Sequence, residues 1–169
     1  DLLNLAALGG MFSERSGIPY RTVFMRNHYT GRSFIQPDQA LREFTAQLKL
    51  ATIQGVIKGK SIILVDDSLV RGTTSRKIVK MVKAAGAKEI HLRISCPPTV
   101  SPCFYGIDFP DRNKLMAANS SIDEIRKYLS ADSLAYLSQS GMVKATGLGA
   151  ESFCMACYDG DYPVTFDPK

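Results

Sequence analysis

No apolar run in this chain approaches the ~20 residues that a membrane-spanning helix needs, so the sequence offers nothing to place across a bilayer. The N-terminus lacks a basic stretch followed by an apolar one, so no secretory signal is read and a cytoplasmic location is expected. There is no internal repeat and no low-complexity segment, which sets aside solenoids and low-complexity tracts. Nor is there a basic cluster with aromatics among it, the pattern a nucleic-acid partner wants. The net charge is +5, but Lys and Arg are spread along the chain. That excess fits either a solvated basic surface or a field that attracts a small polyanion. Cysteines are few: Cys96, Cys103, Cys154 and Cys157. A cytosolic setting argues against structural disulfides, which leaves burial or metal binding open.

What is present fits one globular domain. The 169 residues can bury a sizeable core, and 45% hydrophobic with 22% charged residues is an ordinary soluble composition. Leu2–Leu8 reads as a short buried helix stopped by Gly9 and Gly10. Tyr20–Met25 reads as a strand with Val23 and Phe24 in the core. Arg26–Pro37 is loop-like, and Asp38–Leu50 has helical spacing at Leu41, Phe44 and Leu48 behind an Asp38 cap. Ser61–Val65 is a continuous apolar run, expected of a strand buried on both faces. Ser75–Ala85 carries a helical stripe and is closed by Gly86. Glu89–Ser95 alternates, with Ile90, Leu92 and Ile94 on one face. This strand–helix–strand order predicts a parallel sheet with a right-handed crossover. Ser121 to Glu124 is a capping-box pattern for a helix to about Leu129, and Leu134–Leu137 is a further short strand. From Gly147 an irregular tail is expected. The fold class is α/β, a parallel sheet flanked by helices.

The chemistry concentrates at Ile62–Thr74, IILVDDSLVRGTT. An apolar strand delivers two adjacent carboxylates, Asp66 and Asp67. A small polar loop follows, Ser68, Leu69, Val70, Arg71, Gly72, Thr73 and Thr74, and then a helix. A loop at the C-terminal edge of a parallel strand is where open α/β sheets bind ligands. The helix start offers free N–H groups and a positive dipole end to a phosphate. Gly72 allows a close backbone approach, and the hydroxyls of Thr73, Thr74 and Ser75 add donors. Acids repel phosphate, so the acid pair asks for a second ligand part, a diol or a divalent cation such as Mg²⁺. Phosphate and diol together spell a phosphorylated sugar. The Walker pattern differs, having Gly-Lys-Ser/Thr and no leading acid pair. The bland alternative is a strand-to-helix turn with an Asp cap.

The run matches the phosphoribosyl pyrophosphate motif of type I phosphoribosyltransferases. With RNHYTGRSFIQP at Arg26–Pro37, ISCPPTVSPCFYGID at Ile94–Asp108 and CMACYDGDYPV at Cys154–Val164, the chain resembles the phosphoribosyl-transfer domain of the glutamine phosphoribosylpyrophosphate amidotransferase family. The resemblance implies a type I phosphoribosyltransferase fold and the first step of purine synthesis, from phosphoribosyl pyrophosphate and glutamine or ammonia to 5-phosphoribosylamine. It implies that Asp66 and Asp67 hold the ribose hydroxyls and Mg²⁺, and that Ser68 through Thr74 cradle the 5-phosphate. Arg26, Asn27, Tyr29 and Arg32 would belong to a loop that closes over the substrate, the two arginines suiting the pyrophosphate. His28 is either a loop contact or a plain polar residue, and His91 reads as structural.

In one branch of the family, cysteines matching Cys103, Cys154 and Cys157 bind a [4Fe–4S] cluster whose fourth ligand lies upstream, outside this chain. Cys96 reads as a buried small residue. The expected organisation is a phosphoribosyltransferase domain over 1–146 and an irregular tail over 147–169 carrying the CxxC pair. The family's glutaminase domain and the early strands of the transferase domain are read as missing. Asp1 aligns with the aspartate of the family's pyrophosphate turn, but Leu2 and Leu3 stand where Ser and Gly are expected. The expected partners are the small-molecule substrate, the glutaminase domain and further copies of the chain, with no nucleic acid and no membrane. Two other readings stay open: a non-catalytic regulatory domain that binds phosphoribosyl pyrophosphate, and a salvage phosphoribosyltransferase acting on a free base.

Overall fold

The computed structural model describes residues 2–26, 50–52, 54–107 and 111–164. The helix expected over 38–50 therefore lies outside the described residues, except that Leu50 opens a strand instead.

The chain begins with helix α1, Leu2–Ser16, which runs past the two glycines expected to stop it. Gly9 instead serves packing, since a Cβ there would come within 2.7 Å of the Tyr20 ring. The stop is Gly17, at φ +72°, a conformation that costs an L side chain about 1–2 kcal/mol. Strand β1, Phe24–Arg26, pairs antiparallel with β2, Leu50–Thr52. The strand expected from Tyr20 thus starts four residues later, and Tyr20 itself is exposed. A short helix α2, Gln54–Ile57, follows.

The main sheet is parallel, in the order β3-β4-β5: β3 is Ser61–Asp66, β4 is Glu89–Ile94 and β5 is Ser133–Tyr136. The alternation in β4 buries Ile90, Leu92 and Ile94 almost completely, as the period-two pattern requires. In β3 only Leu64 is fully buried, and its neighbours are half-buried. This differs from the two-faced burial expected, because among the described residues β3 is an edge strand of its sheet. Register places Asp66 opposite Ile94 and Ile94 opposite Tyr136, so the three strands end at one level.

Helix α3, Thr73–Ala84, connects β3 to β4 and lays Ser75, Val79 and Val82 inward. It packs on β4 and on the helix at Ile122–Leu129. Gly86, at φ +93°, turns the chain after it. Beyond β4, a single 3₁₀ turn at Arg112–Lys114 and a short helix α4, Met116–Asn119, lead to α5, Ile122–Leu129. The expected capping box at the start of α5 is present, with Ser121 accepting from the Glu124 N–H and Glu124 accepting from the Ser121 N–H. Ile125 and Leu129 are fully buried, each contributing about 1.5–3 kcal/mol of burial. After β5 the chain forms α6, Gln139–Thr146, a further 3₁₀ turn at Ala150–Ser152, and α7, Ala156–Asp159. Among the described residues no helix is long and apolar enough to cross a membrane.

Candidate phosphate-sugar site

The loop after β3 is built by alternating anchors and exposed groups. Leu69 is buried at 2% exposure, the Val70 carbonyl accepts from the Met116 N–H at 3.0 Å, and Gly72 is buried. Between these anchors Asp67, Ser68, Arg71, Thr73 and Thr74 are exposed. Core packing therefore holds the backbone while the polar side chains face solvent. With its side chain in the core, Leu69 can serve a ligand only through its backbone.

Gly72 precedes α3 at φ +70°, ψ −5°, and no side chain caps the helix. Its carbonyl accepts from Arg76 N–H at 2.9 Å, the first intrahelical bond. The N–H groups of the first turn thus have no side-chain cap, which suits an anion at the positive dipole end. Gly72 is required twice over. Its φ favours glycine, and a Cβ would run into Met116 Sδ.

The acid pair is held on the strand side. Asp66 is half-buried; its carboxylate accepts from Ser75 Oγ at 3.2 Å and from the Asp67 N–H at 3.1 Å. Burial pushes its pKa up, and the adjacent Asp67 charge adds to that despite the two hydrogen bonds. Two like charges so placed favour a proton, a cation or hydroxyl donors between them. Ser68 Oγ donates to Asp67 Oδ1 at 3.2 Å. Ser75 joins strand to helix, since it is buried on α3 and reaches Asp66. A cavity of about 690 Å³ runs along β3 and reaches Asp66 and Ser75.

The arginine-bearing loop can be placed only at its start. Arg26 ends β1, while Asn27, His28, Tyr29 and Arg32 lie outside the described residues. His91 Nδ1 bonds Ser133 Oγ at 2.9 Å, and Nε2 lies 3.5 Å from Glu89.

The tail that carries Cys154 and Cys157 docks beside the β4 exit. Val100 and Ser101 N–H groups donate to the Cys157 carbonyl at 2.9 and 3.1 Å, and Tyr162 OH donates to the Pro102 carbonyl at 2.7 Å. These bonds fasten the tail onto the 100–105 segment. Burial raises the Cys157 pKa, and charges at Cys103 and Cys154 raise it further. All four cysteines are free. Among the described residues no three His, Cys, Asp or Glu side chains converge closely enough to hold a metal ion. Cys103, Cys154 and Cys157 are soft donors of the kind iron or zinc takes, but as placed here they form no metal site. Cys96 is half-buried against the core, and burial lifts its thiol to about 11.

Sequence reasoning missed the residues that grip the loop from behind. Ser95 N–H donates to the Asp66 carbonyl at 2.9 Å, and Ser95 Oγ to the same carbonyl at 3.2 Å. The Met116 N–H carries the Val70 contact. The available signal was register: Ser95 follows Ile94, the residue that pairs with Asp66.

A parallel α/β sheet that delivers an acid pair and an uncapped helix start to one loop defines a domain of the type I phosphoribosyltransferase fold. A solved structure shares it, the Bacillus subtilis glutamine phosphoribosylpyrophosphate amidotransferase complexed with ADP and GMP. The TM-score is 0.78 at 47% identity, over 90% of this chain and 34% of that one. No protein-family model matches the chain. The amidophosphoribosyltransferase of Methanocaldococcus jannaschii is 53% identical over 158 residues, 94% of this chain and 33% of that protein. That of Synechocystis sp. is 52% identical over 160 residues, 95% and 32%. The chain is thus similar to amidophosphoribosyltransferases and spans about one third of the length of these relatives.

Proposed function

We propose that this chain is the phosphoribosyl-transfer part of an amidophosphoribosyltransferase that makes 5-phosphoribosylamine in the first step of purine synthesis. The observation that carries the reading is the meeting of Asp66 and Asp67 with the uncapped start of α3 across one anchored loop. In the reaction, the nitrogen of ammonia forms a bond to ribose C1 as the C1–O bond to pyrophosphate breaks. The amine then sheds a proton, and pyrophosphate carries away the electron pair. The ribose ring gains positive charge and the leaving group negative charge, so the residues' work is positioning and charge stabilisation.

Asp66 and Asp67 accept from the ribose hydroxyls. Ser68, Arg71, Thr73 and Thr74, with the backbone from Leu69 to Gly72, take the 5-phosphate. Mg²⁺, when bound, neutralises charge between the acid pair and the substrate. Arg26, Asn27, Tyr29 and Arg32 close over the leaving group and exclude water. Cys103, Cys154 and Cys157 are the thiols that would hold a [4Fe–4S] cluster, together with a fourth ligand outside this chain, and the cluster would tie the tail to the domain. The domain extends over 1–146 and the tail over 147–169. Ammonia comes from glutamine through a glutaminase domain, and the proposal extends to a cytoplasmic, homo-oligomeric enzyme.

The test is pyrophosphate release from phosphoribosyl pyrophosphate with Mg²⁺. Release that depends on ammonium, with adenine, hypoxanthine and orotate inert, supports the reading. Release that needs a free base, with ammonium inert, overturns it.

A further inference from the structure

The loop's acid pair is aimed from behind by a residue that carries no charge. Ser95 sits one position past β4, at the level where the three strands end. Its N–H and Oγ both donate to the Asp66 carbonyl, at 2.9 and 3.2 Å, and Oγ has a longer second acceptor, the Asp67 carbonyl, at 3.4 Å. Ser95 therefore holds the peptide groups at 66 and 67 from one side.

The planarity of the peptide bond turns this grip into aim. In a trans peptide the C=O and the following N–H point in opposite directions. Fixing the Asp66 carbonyl on Ser95 fixes the Asp67 N–H away from it, and that N–H donates to Asp66 Oδ1 at 3.1 Å. Fixing the Asp67 carbonyl likewise turns the Ser68 N–H away from Ser95. The Asp66 carboxylate is thus held by Ser75 on one oxygen and, on the other, by a peptide that Ser95 holds.

We infer that Ser95 is a positioning residue for the sugar end of the site, setting the Asp66 carboxylate and the 66–68 peptides that meet the ribose. It touches no substrate itself. This inference rests on the reading of the loop as a ribose 5-phosphate site. It predicts a division of labour: Ser95 acts on the sugar contacts, while phosphate is taken by the start of α3, which Gly72, Met116 and Leu69 hold independently.

The experiment compares the chain with Ser95→Ala and Ser95→Thr by calorimetric titration with ribose 5-phosphate plus Mg²⁺ and, separately, with inorganic phosphate. Ser95→Ala keeps the main-chain bond to Asp66, so its melting temperature should stay close to the parent's. Loss of one shared hydroxyl donor should weaken ribose 5-phosphate about fivefold, from the usual net worth of one hydrogen bond. Inorganic phosphate should bind unchanged, and Ser95→Thr should restore the sugar affinity. Equal weakening of both probes, no weakening of either, or failure of the threonine to rescue would overturn the inference. If the parent chain binds inorganic phosphate but gains nothing from the sugar, the reading of the site falls and this inference falls with it. If the parent gains from the sugar and Ser95→Ala does too, only the role of Ser95 is lost.

Discussion

Gly72→Ala is the substitution for which the structure gives the most definite consequence. Two costs combine at that position. The backbone is held at φ +70°, where an L residue pays about 1–2 kcal/mol. The added methyl would run into Met116 Sδ and approach Leu129 Cδ2 at 3.5 Å, and overpacking of a filled site costs about 1–3 kcal/mol. The sum is about 2–5 kcal/mol, which for a domain of this size lowers the melting temperature by roughly 5–15 °C. Met116 is the flexible neighbour, so part of the cost can be located. In a double-mutant cycle Gly72→Ala should cost about 1 kcal/mol less in a Met116→Ala background, because the collision is gone while the strained φ remains. Chemical denaturation of the four proteins measures this. Met116 also holds the loop through its N–H bond to the Val70 carbonyl, so any shift of α4 should reach the phosphate side and weaken inorganic phosphate binding in Gly72→Ala. A variant as stable as the parent, or strictly additive costs in the cycle, would refute the reasoning.

Other outcomes follow from single interactions. Burial, then repulsion from Asp67, raises the pKa of Asp66 above its ordinary 3.8. The folded chain therefore binds a proton there more readily than the unfolded chain, and the ionised carboxylate weakens the unliganded fold above that raised pKa. Asp66→Asn should raise the melting temperature at neutral pH, with the gain shrinking as the pH falls towards 3.8; a gain that does not change with pH would contradict this. The same variant should remove the Mg²⁺ dependence of ribose 5-phosphate binding. Ser121→Ala breaks the capping box of α5 and should cost about 1 kcal/mol in denaturant unfolding, while leaving ribose 5-phosphate affinity as it was.

The parts of the fold that the sequence declared were those with local causes. The alternation at Ile90, Leu92 and Ile94, the Ser121–Glu124 box and Gly86 each sit where expected. Misreadings came where tertiary contact overrode a local signal. Gly9 and Gly10 look like a helix stop, but Gly9 makes room for Tyr20, eleven residues along, and the helix continues. The apolar run of β3 reads as doubly buried, yet burial depends on what lies beside the strand. The helix α6 over Gln139–Thr146 has no counterpart in the sequence reading, although Ser138 caps it by accepting from the Gly141 N–H at 3.0 Å. At the site, Asp66 to Thr74 was legible because phosphate and diol chemistry demand particular side chains in order. Ser95 and Met116 were not, because their contacts to the loop cross from other segments.

The central claim is that the 66–75 segment takes the ribose 5-phosphate end of the substrate. Titrating isotopically labelled chain with ribose 5-phosphate and Mg²⁺, and following the backbone amide resonances, tests it directly. Saturable shifts that are largest from Asp67 to Ser75, with small ones at Ser95 and Met116, are predicted. No saturable shift there, or shifts centred elsewhere in the chain, would contradict the account.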